Sequence, residues 1–217
     1  MTNHSDSAYV YYTFVSEKLP YSTYMERLNR LPEQIVSRIQ AYENQEDRQL
    51  RLSGKELLGD LLVDLQPENP ASLKNLFYSA GNRPALPAKI DFNISHSGKL
   101  AACGATLLGH IGLDVEMIRP IHLADYQTYF SSKEWETILT AHDTTQAFYH
   151  FWTRKEALLK ALGSGMLSDL SLFDTCSHEV DIRGSKYFLH TLPVDPDYIV
   201  HAAINHIGKI VLKEKTF

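Results

Sequence analysis

Two short segments hold most of the chemistry this chain could do. Gly112-Leu113-Asp114-Val115-Glu116 reads as a strand whose two carboxylates, at i and i+2, project from one face. Trp152-Thr153-Arg154-Lys155-Glu156-Ala157-Leu158-Leu159-Lys160 reads as a helix on which Glu156 and Lys160 stack one turn apart. Three carboxylates and an ammonium on two rigid elements are what a site needs to hold a hard divalent cation against a phosphate. Each pair also has a plainer reading. Acids on a strand can be the solvated face of an edge, and a Glu–Lys pair at i, i+4 can be an exposed ion pair of little energetic weight.

The neighbours of these residues sharpen the choice. On a helical wheel Phe148, Phe151, Trp152, Leu159 and Leu162 form one apolar stripe, so the helix is partly buried. Glu156 falls at the edge of the stripe and Lys160 beside it, further toward solvent. Lys155 falls near its centre, and a buried lysine needs a partner. A carboxylate of the acidic strand is the expected one, which would bring helix and strand together. Ile111, Leu113 and Val115 alternate with the acids, and Gly112 beside them is read as room for a ligand to approach. Asn93-Ile94-Ser95-His96-Ser97-Gly98 offers a hydroxyl, an imidazole and backbone N–H groups at a strand end, as a structural turn or a phosphate-holding one. Ser53-Gly54-Lys55 is not a P-loop, because Gln49 stands where the upstream glycine is required.

The elements that must position these groups follow from pattern and punctuation. Residues 8–14 are β-branched and aromatic, hence a strand. Pro32 opens a helix reaching about residue 42, and a second helix spans about 46–65 before Pro67 stops it. A turn at Gly81-Asn82-Arg83-Pro84 and a strand at 90–94 follow. The apolar runs 100–107 and 110–117, joined around Leu108-Gly109, are expected to pair as a hairpin. A helix over 132–141 has Ser131 or Ser132 as its cap and Glu134 in its first turn. The motif helix, about 145–162, ends at Gly163, and strands are expected at 187–192, 198–204 and 209–212. The reading is α+β, as two lobes of similar size, 1–108 and 109–217.

Composition narrows the function classes. With 217 residues, 44% hydrophobic and 22% charged, the chain can form one large domain or two lobes with a real core. A net charge of −5 argues against non-specific nucleic-acid binding, so any phosphate site is built locally from a few cations. Cys103 and Cys176 form neither a disulfide framework nor a CxxC zinc pattern. Residues 1–6 do not read as a signal peptide and no apolar run is long enough to span a bilayer, which points to the cytoplasm.

Taken together, Phe92-Asn93-Ile94-Ser95-His96-Ser97-Gly98, the Gly112–Glu116 segment and residues 148–160 resemble three blocks of the Sfp-type 4'-phosphopantetheinyl transferases, in that family's order and spacing. The blocks occupy the middle of the chain; the flanks agree only in length and element order. The resemblance implies a monomer of two pseudo-symmetric α+β lobes, each an antiparallel sheet with helices, and a coenzyme A site between them. It implies transfer of 4'-phosphopantetheine from coenzyme A to a serine of an apo acyl or peptidyl carrier protein, of the holo-[acyl-carrier-protein] synthase type, releasing adenosine 3',5'-bisphosphate.

Carried over by position, Asp114, Glu116 and Glu156 would hold Mg²⁺ on the pyrophosphate. Lys160 would contact the phosphate nearest the leaving group. Ser95 and His96 would approach the adenosine end, His96 at the 3'-phosphate. Either Glu156 or a water on the metal would take the serine proton. Arg83, before Pro84, stands for the family's basic residue and would grip a phosphate. Among Arg38, Arg48 and Arg51, Arg51 is preferred as a further coenzyme A contact. Met117-Ile118-Arg119-Pro120-Ile121-His122-Leu123 would dock the carrier through Arg119 and Ile118 or Ile121, unless it is only a loop tucked on its own lobe. The competing readings are a non-catalytic carrier-protein-binding module and another Mg²⁺-dependent phosphotransferase or hydrolase on an unrelated fold.

Overall fold

The computed structural model describes residues 7–15, 18–68, 70–79, 83–163 and 167–217, with the side chains of 167–169 left aside. The N-terminal hexapeptide and the Gly81-Asn82 half of the expected turn lie outside the described residues.

The first sheet has strand order β10-β1-β5-β4, from β1 (Ser7–Phe14), β4 (Asp91–Ser97), β5 (Leu100–Thr106) and β10 (Lys209–Glu214). The second has order β6-β9-β8-β7, from β6 (Ile111–Met117), β7 (Glu179–Ile182), β8 (Ser185–Thr191) and β9 (Tyr198–Ile204). A two-stranded pair, β2 (Phe77–Tyr78) with β3 (Pro84–Ala85), stands apart. Helices α1 (Tyr21–Leu28), α2 (Glu33–Gln40) and α3 (Gln45–Leu65) follow β1; α4 (Ser132–Thr140) and α5 (Thr144–Leu162) follow β6. The architecture is α+β.

Alternation along the strands builds the layers. On β1 and β5, Tyr11, Ala101, Cys103 and Ala105 face the leucines of α3, while Ala8, Val10, Leu100 and Ala102 face Ile111, Leu113, Val115, Val200, Ala202 and Ile204 of the second sheet. The outer face of the second sheet carries Leu189 and Ala203 against Ala157, Leu158 and Ala161 of α5. Helix α3, two sheets and helix α5 therefore stack in that order. The core between the sheets belongs to both of them.

Several expectations need correction. The runs joined at Leu108-Gly109 are not a hairpin: β5 lies between β1 and β4, and β6 pairs with β9. The turn is there, with Gly109 at φ +64°, but it passes the chain from one sheet to the other. Both strands are buried on both faces, so turn chemistry alone cannot say which neighbour each will take. The hairpin partner of β5 is β4, around Gly98 at φ +57°. Nor is the first sheet purely antiparallel or confined to residues 1–108. Strand β10 crosses back and pairs in parallel with β1, Ala8 opposite Ile210 and Tyr11 opposite Lys213. Helix α1, β7 and the β2–β3 pair were absent from the sequence reading.

The edge of the first sheet, β4, meets the edge of the second, β6, through side chains. Alternate β4 residues accept β6 backbone N–H groups in register: Asp91 from Ile111, Asn93 from Leu113, Ser95 from Val115 and Ser97 from Met117, at 2.8, 3.0, 3.3 and 3.1 Å. These acceptors satisfy donors that an unpaired strand edge would leave open.

Candidate active site

The acidic strand and the motif helix do meet. Asp114, Glu116, Glu156 and Lys160 line one cleft together with Ile94, Ser95, His96, Val115 and Trp152. Both ends of the helix that carries Glu156 and Lys160 are capped: Asp143 accepts from the Gln146 N–H at one terminus, and Gly163 at φ +69° closes the other. Lys160 leans onto β6 rather than toward solvent. Its ammonium donates to Asp114 Oδ1 at 2.6 Å, the Leu113 carbonyl at 3.2 Å and Ser95 Oγ at 3.3 Å.

The three carboxylates share an electrostatic problem. Burial pushes the pKa of Asp114 up, against the pull of Lys160. Burial also raises Glu116 and Glu156, and in both the negative charge of Asp114 adds to the rise. One ammonium faces three acids. Asp114 Oδ2 is buried with no hydrogen-bond partner among the described residues. The donor chemistry, hard oxygens with uncompensated charge, suits Mg²⁺. Among the described residues, however, no three acidic, imidazole or thiol donors form a ready-made ion cage.

A second cavity, of about 390 Å³ and of opposite character, shares Ile94 and His96 with this cleft and is lined by Arg38, Arg51, Lys55, Tyr42, Tyr78 and Pro84 among others. Arg38 stacks on the Tyr78 ring and Arg51 on the Tyr42 ring, each guanidinium carbon 3.5 Å from the centroid. Burial lowers the Lys55 pKa to about 8 and, with Arg51 nearby, also lowers that of His96. The clustered cations disfavour one another's charge, a condition that a bound anion would relieve. The cavity's proximity to the acids depends on α3 approaching β4: a Cβ on Gly54 would stand 2.7 Å from the Ile94 methyl.

Each expected residue now has a place. Asp114, Glu116, Glu156, Lys160, Ser95 and His96 line the acidic end; Arg51, Arg38 and His96 line the basic end. Ser95 and His96 are not two arms of a turn. Strand β4 runs on through Ser97, so alternation sends His96 toward the basic cavity and Ser95 to Asp114 and Lys160. Arg83 does not line the cleft. Its guanidinium is held by both oxygens of Asp91 at 2.9 Å, by the Ile111 carbonyl and by the Lys160 carbonyl at the end of α5. That makes it a clamp between β4, β6 and the end of α5. Arg48 Nε is bound to the Tyr42 carbonyl.

Gly112 makes room for a helix instead of a ligand: a Cβ there would sit 1.9 Å from the Ala157 carbonyl oxygen. Lys155 pairs with Glu134 of α4 rather than with the acidic strand. Ile118 and Ile121 pack on the aromatic cluster around Phe130 and Phe148, while Arg119 is exposed. Lys55, Tyr42 and Tyr78 escaped the sequence reading. The i, i+4 spacing of Arg51 and Lys55 on one helix face was the available signal for Lys55.

Comparisons with known proteins fall on these elements. The 4'-phosphopantetheinyl transferase superfamily model matches residues 110–205. Over 200 residues the chain is 32% identical to 4'-phosphopantetheinyl transferase ffp of Bacillus subtilis, covering 82% of this chain and 88% of the relative. It is 31% identical over 165 residues to 4'-phosphopantetheinyl transferase Sfp of Bacillus subtilis (strain 168), covering 69% and 73%. With 4'-phosphopantetheinyl transferase HetI of Nostoc sp. (strain PCC 7120 / SAG 25.82 / UTEX 2576) it shares 31% over 132 residues, 56% of this chain and 54% of the relative.

Proposed function

The chain belongs to the Sfp-type 4'-phosphopantetheinyl transferase family, and we propose that it moves phosphopantetheine from coenzyme A to a serine hydroxyl of an apo acyl or peptidyl carrier protein. One observation carries the reading of donor and roles: an acidic cleft and a basic cavity lie side by side and share Ile94 and His96. Coenzyme A has the matching polarity, a 3'-phosphate at the nucleotide end and a pyrophosphate where the bond breaks.

The adenosine 3'-phosphate belongs among Arg38, Arg51, Lys55 and His96, with Tyr42 and Tyr78 flanking the cations. The pyrophosphate then lies over Asp114, Glu116 and Glu156, which would hold Mg²⁺ there. Bound Mg²⁺ would neutralise the charge that builds on the pyrophosphate oxygens as the phosphoanhydride breaks. Lys160 releases its protein partners to the phosphate and stabilises the leaving 3',5'-bisphosphate. Glu156, which has no hydrogen bond or ion pair among the described residues, would accept the serine proton. Burial raises its pKa in the protein without metal; Mg²⁺ beside it would lower that pKa again, which leaves a water on the metal as the alternative base.

Trp152 lines the acidic end beside Glu156. Arg119, exposed and directly after β6, would meet an acidic surface on the carrier. The enzyme is read as a cytoplasmic monomer. Among the described residues no helix is long and apolar enough to cross a membrane.

The test is direct. Purified protein is incubated with coenzyme A, Mg²⁺ and an apo carrier protein, and the carrier is weighed. A gain of one phosphopantetheine, lost on chelating the metal, is the expected result. No gain with fatty-acid, polyketide and peptide-synthetase carriers alike would overturn the proposed substrates. Transfer unaffected by chelation would remove Mg²⁺ from the reading.

A further inference from the structure

The ladder between β4 and β6 changes character along its length. Its first two rungs are Asp91, which also grips Arg83, and Asn93. Its last two are serines, and they stand where the carboxylates begin. A hydroxyl has one proton and two lone pairs. Ser97 Oγ spends a lone pair on the Met117 N–H at 3.1 Å, which leaves its proton directed at Glu116 Oε2, 2.8 Å away. Ser95 Oγ accepts from the Val115 N–H and from Lys160 Nζ and directs its proton to Asp114 Oδ1 at 3.2 Å. Each serine is thus fixed by the backbone of one lobe's edge strand and holds the carboxylate beside it.

We propose that Ser97 and Ser95 are positioning residues that pre-set the Glu116 and Asp114 carboxylates for a divalent cation, through the seam between the two sheets. This rests on the reading that Asp114, Glu116 and Glu156 are the metal-holding acids. The serines need not touch the metal or substrate for this role. Their hydrogen bonds select carboxylate orientations and remove the rotamer freedom that binding would otherwise have to freeze.

The experiment measures metal binding without turnover. Mn²⁺ is titrated into protein with coenzyme A and no carrier, and unbound Mn²⁺ is read by electron paramagnetic resonance against coenzyme A alone. Ser97→Ala should weaken Mn²⁺ binding roughly ten- to a hundredfold, and Ser97→Thr should return it close to wild type. Asn93→Ala removes a rung with no carboxylate attached. It should lower the melting temperature about as much as Ser97→Ala yet keep the wild-type affinity. If Ser97→Ala proves unfolded, Ser95→Ala makes the same test at Asp114.

Wild-type affinity in the serine variants overturns the proposal, and so does an equal loss in Asn93→Ala, since the ladder alone would then account for the effect. A wild-type protein that adds no Mn²⁺ binding to that of coenzyme A overturns the metal reading itself, and this proposal with it.

Discussion

Lys155 and Lys160 lie a little over one turn apart on α5, and each meets a carboxylate from another element. Lys155 is fully enclosed. It donates to Glu134 at 2.8 Å and to the carbonyls of Leu170 and Phe173, while Glu134 also accepts from the Ser131 N–H and from the Thr175 N–H and hydroxyl. Both side chains are 0% exposed, and both oxygens of Glu134 are engaged. Lys160 is 29% exposed, and its partner Asp114 keeps one oxygen with no partner among the described residues and two further acids for neighbours. Both pairs are charge buried by the same helix. The closed one ties α4 to α5. The unclosed one stores unmet electrostatic demand that a ligand can satisfy.

The sharpest way to break that comparison is to remove acids from the unclosed site. Asp114→Ala or Glu116→Ala should lower transfer by roughly 10⁴-fold while the melting temperature holds or rises, because like charges crowd there. Steady-state rates at saturating Mg²⁺ beside a thermal melt decide it; near-normal turnover would refute the assignment.

At the closed pair the currency is reversed. Glu134→Ala leaves the Lys155 ammonium buried and unpaired and should cost about 3–5 kcal/mol of stability, measured by urea titration. Glu134→Leu combined with Lys155→Met should recover most of it, with the rate per folded molecule close to wild type. A rate that collapsed in this folded double variant would give Lys155 a role beyond holding the helices.

A third lysine extends the series. Lys55 titrates near pH 8 in the unliganded protein, and a phosphate beside it favours its charged form. Binding therefore takes up a proton: affinity is full below pH 8 and falls as pH rises through it, by about tenfold per unit until the pKa of the complex is reached. KM for coenzyme A should follow that slope in wild type and flatten in Lys55→Met. The smallest effect belongs to the exposed cation. Arg119→Glu should raise KM for the carrier by less than about tenfold and weaken its salt dependence, leaving KM for coenzyme A unchanged. An unmoved carrier KM would place docking elsewhere.

What could be read from the residue order was local. The i, i+2 acids, a serine cap at 131 or 132 with Glu134 in the first turn, the α5 stripe and its closing Gly163 all declare themselves within a few residues, and all stand in the structure, where the cap is Ser131. What could not be read is choice of partner. The Lys155 position announces a buried lysine but not whether α4 or β6 supplies the acid. Two apolar runs around Leu108-Gly109 announce strands but not that they enter different sheets. The Asn93–Gly98 block, with its hydroxyl, imidazole and N–H groups, reads as a turn at a strand end, yet the strand runs on through Ser97. Its polarity comes from the neighbouring edge, whose N–H groups those side chains accept. Arg83 was assigned by likeness to a phosphate, whereas the nearby Asp91 carboxylate claims it.

The return of β10 to the side of β1 bears on how the molecule is made. When residues up to 106 have left the ribosome, the three-stranded core β1-β5-β4 has the right order but lacks cover at both ends. The rim at β4 waits for the β6 donors, and the rim at β1 waits for residues 209–214, which are translated about a hundred residues later. Throughout that interval the nascent first half presents two strand edges to its neighbours on the polysome. It can complete its sheet only as the second half arrives, so the two sheets mature together.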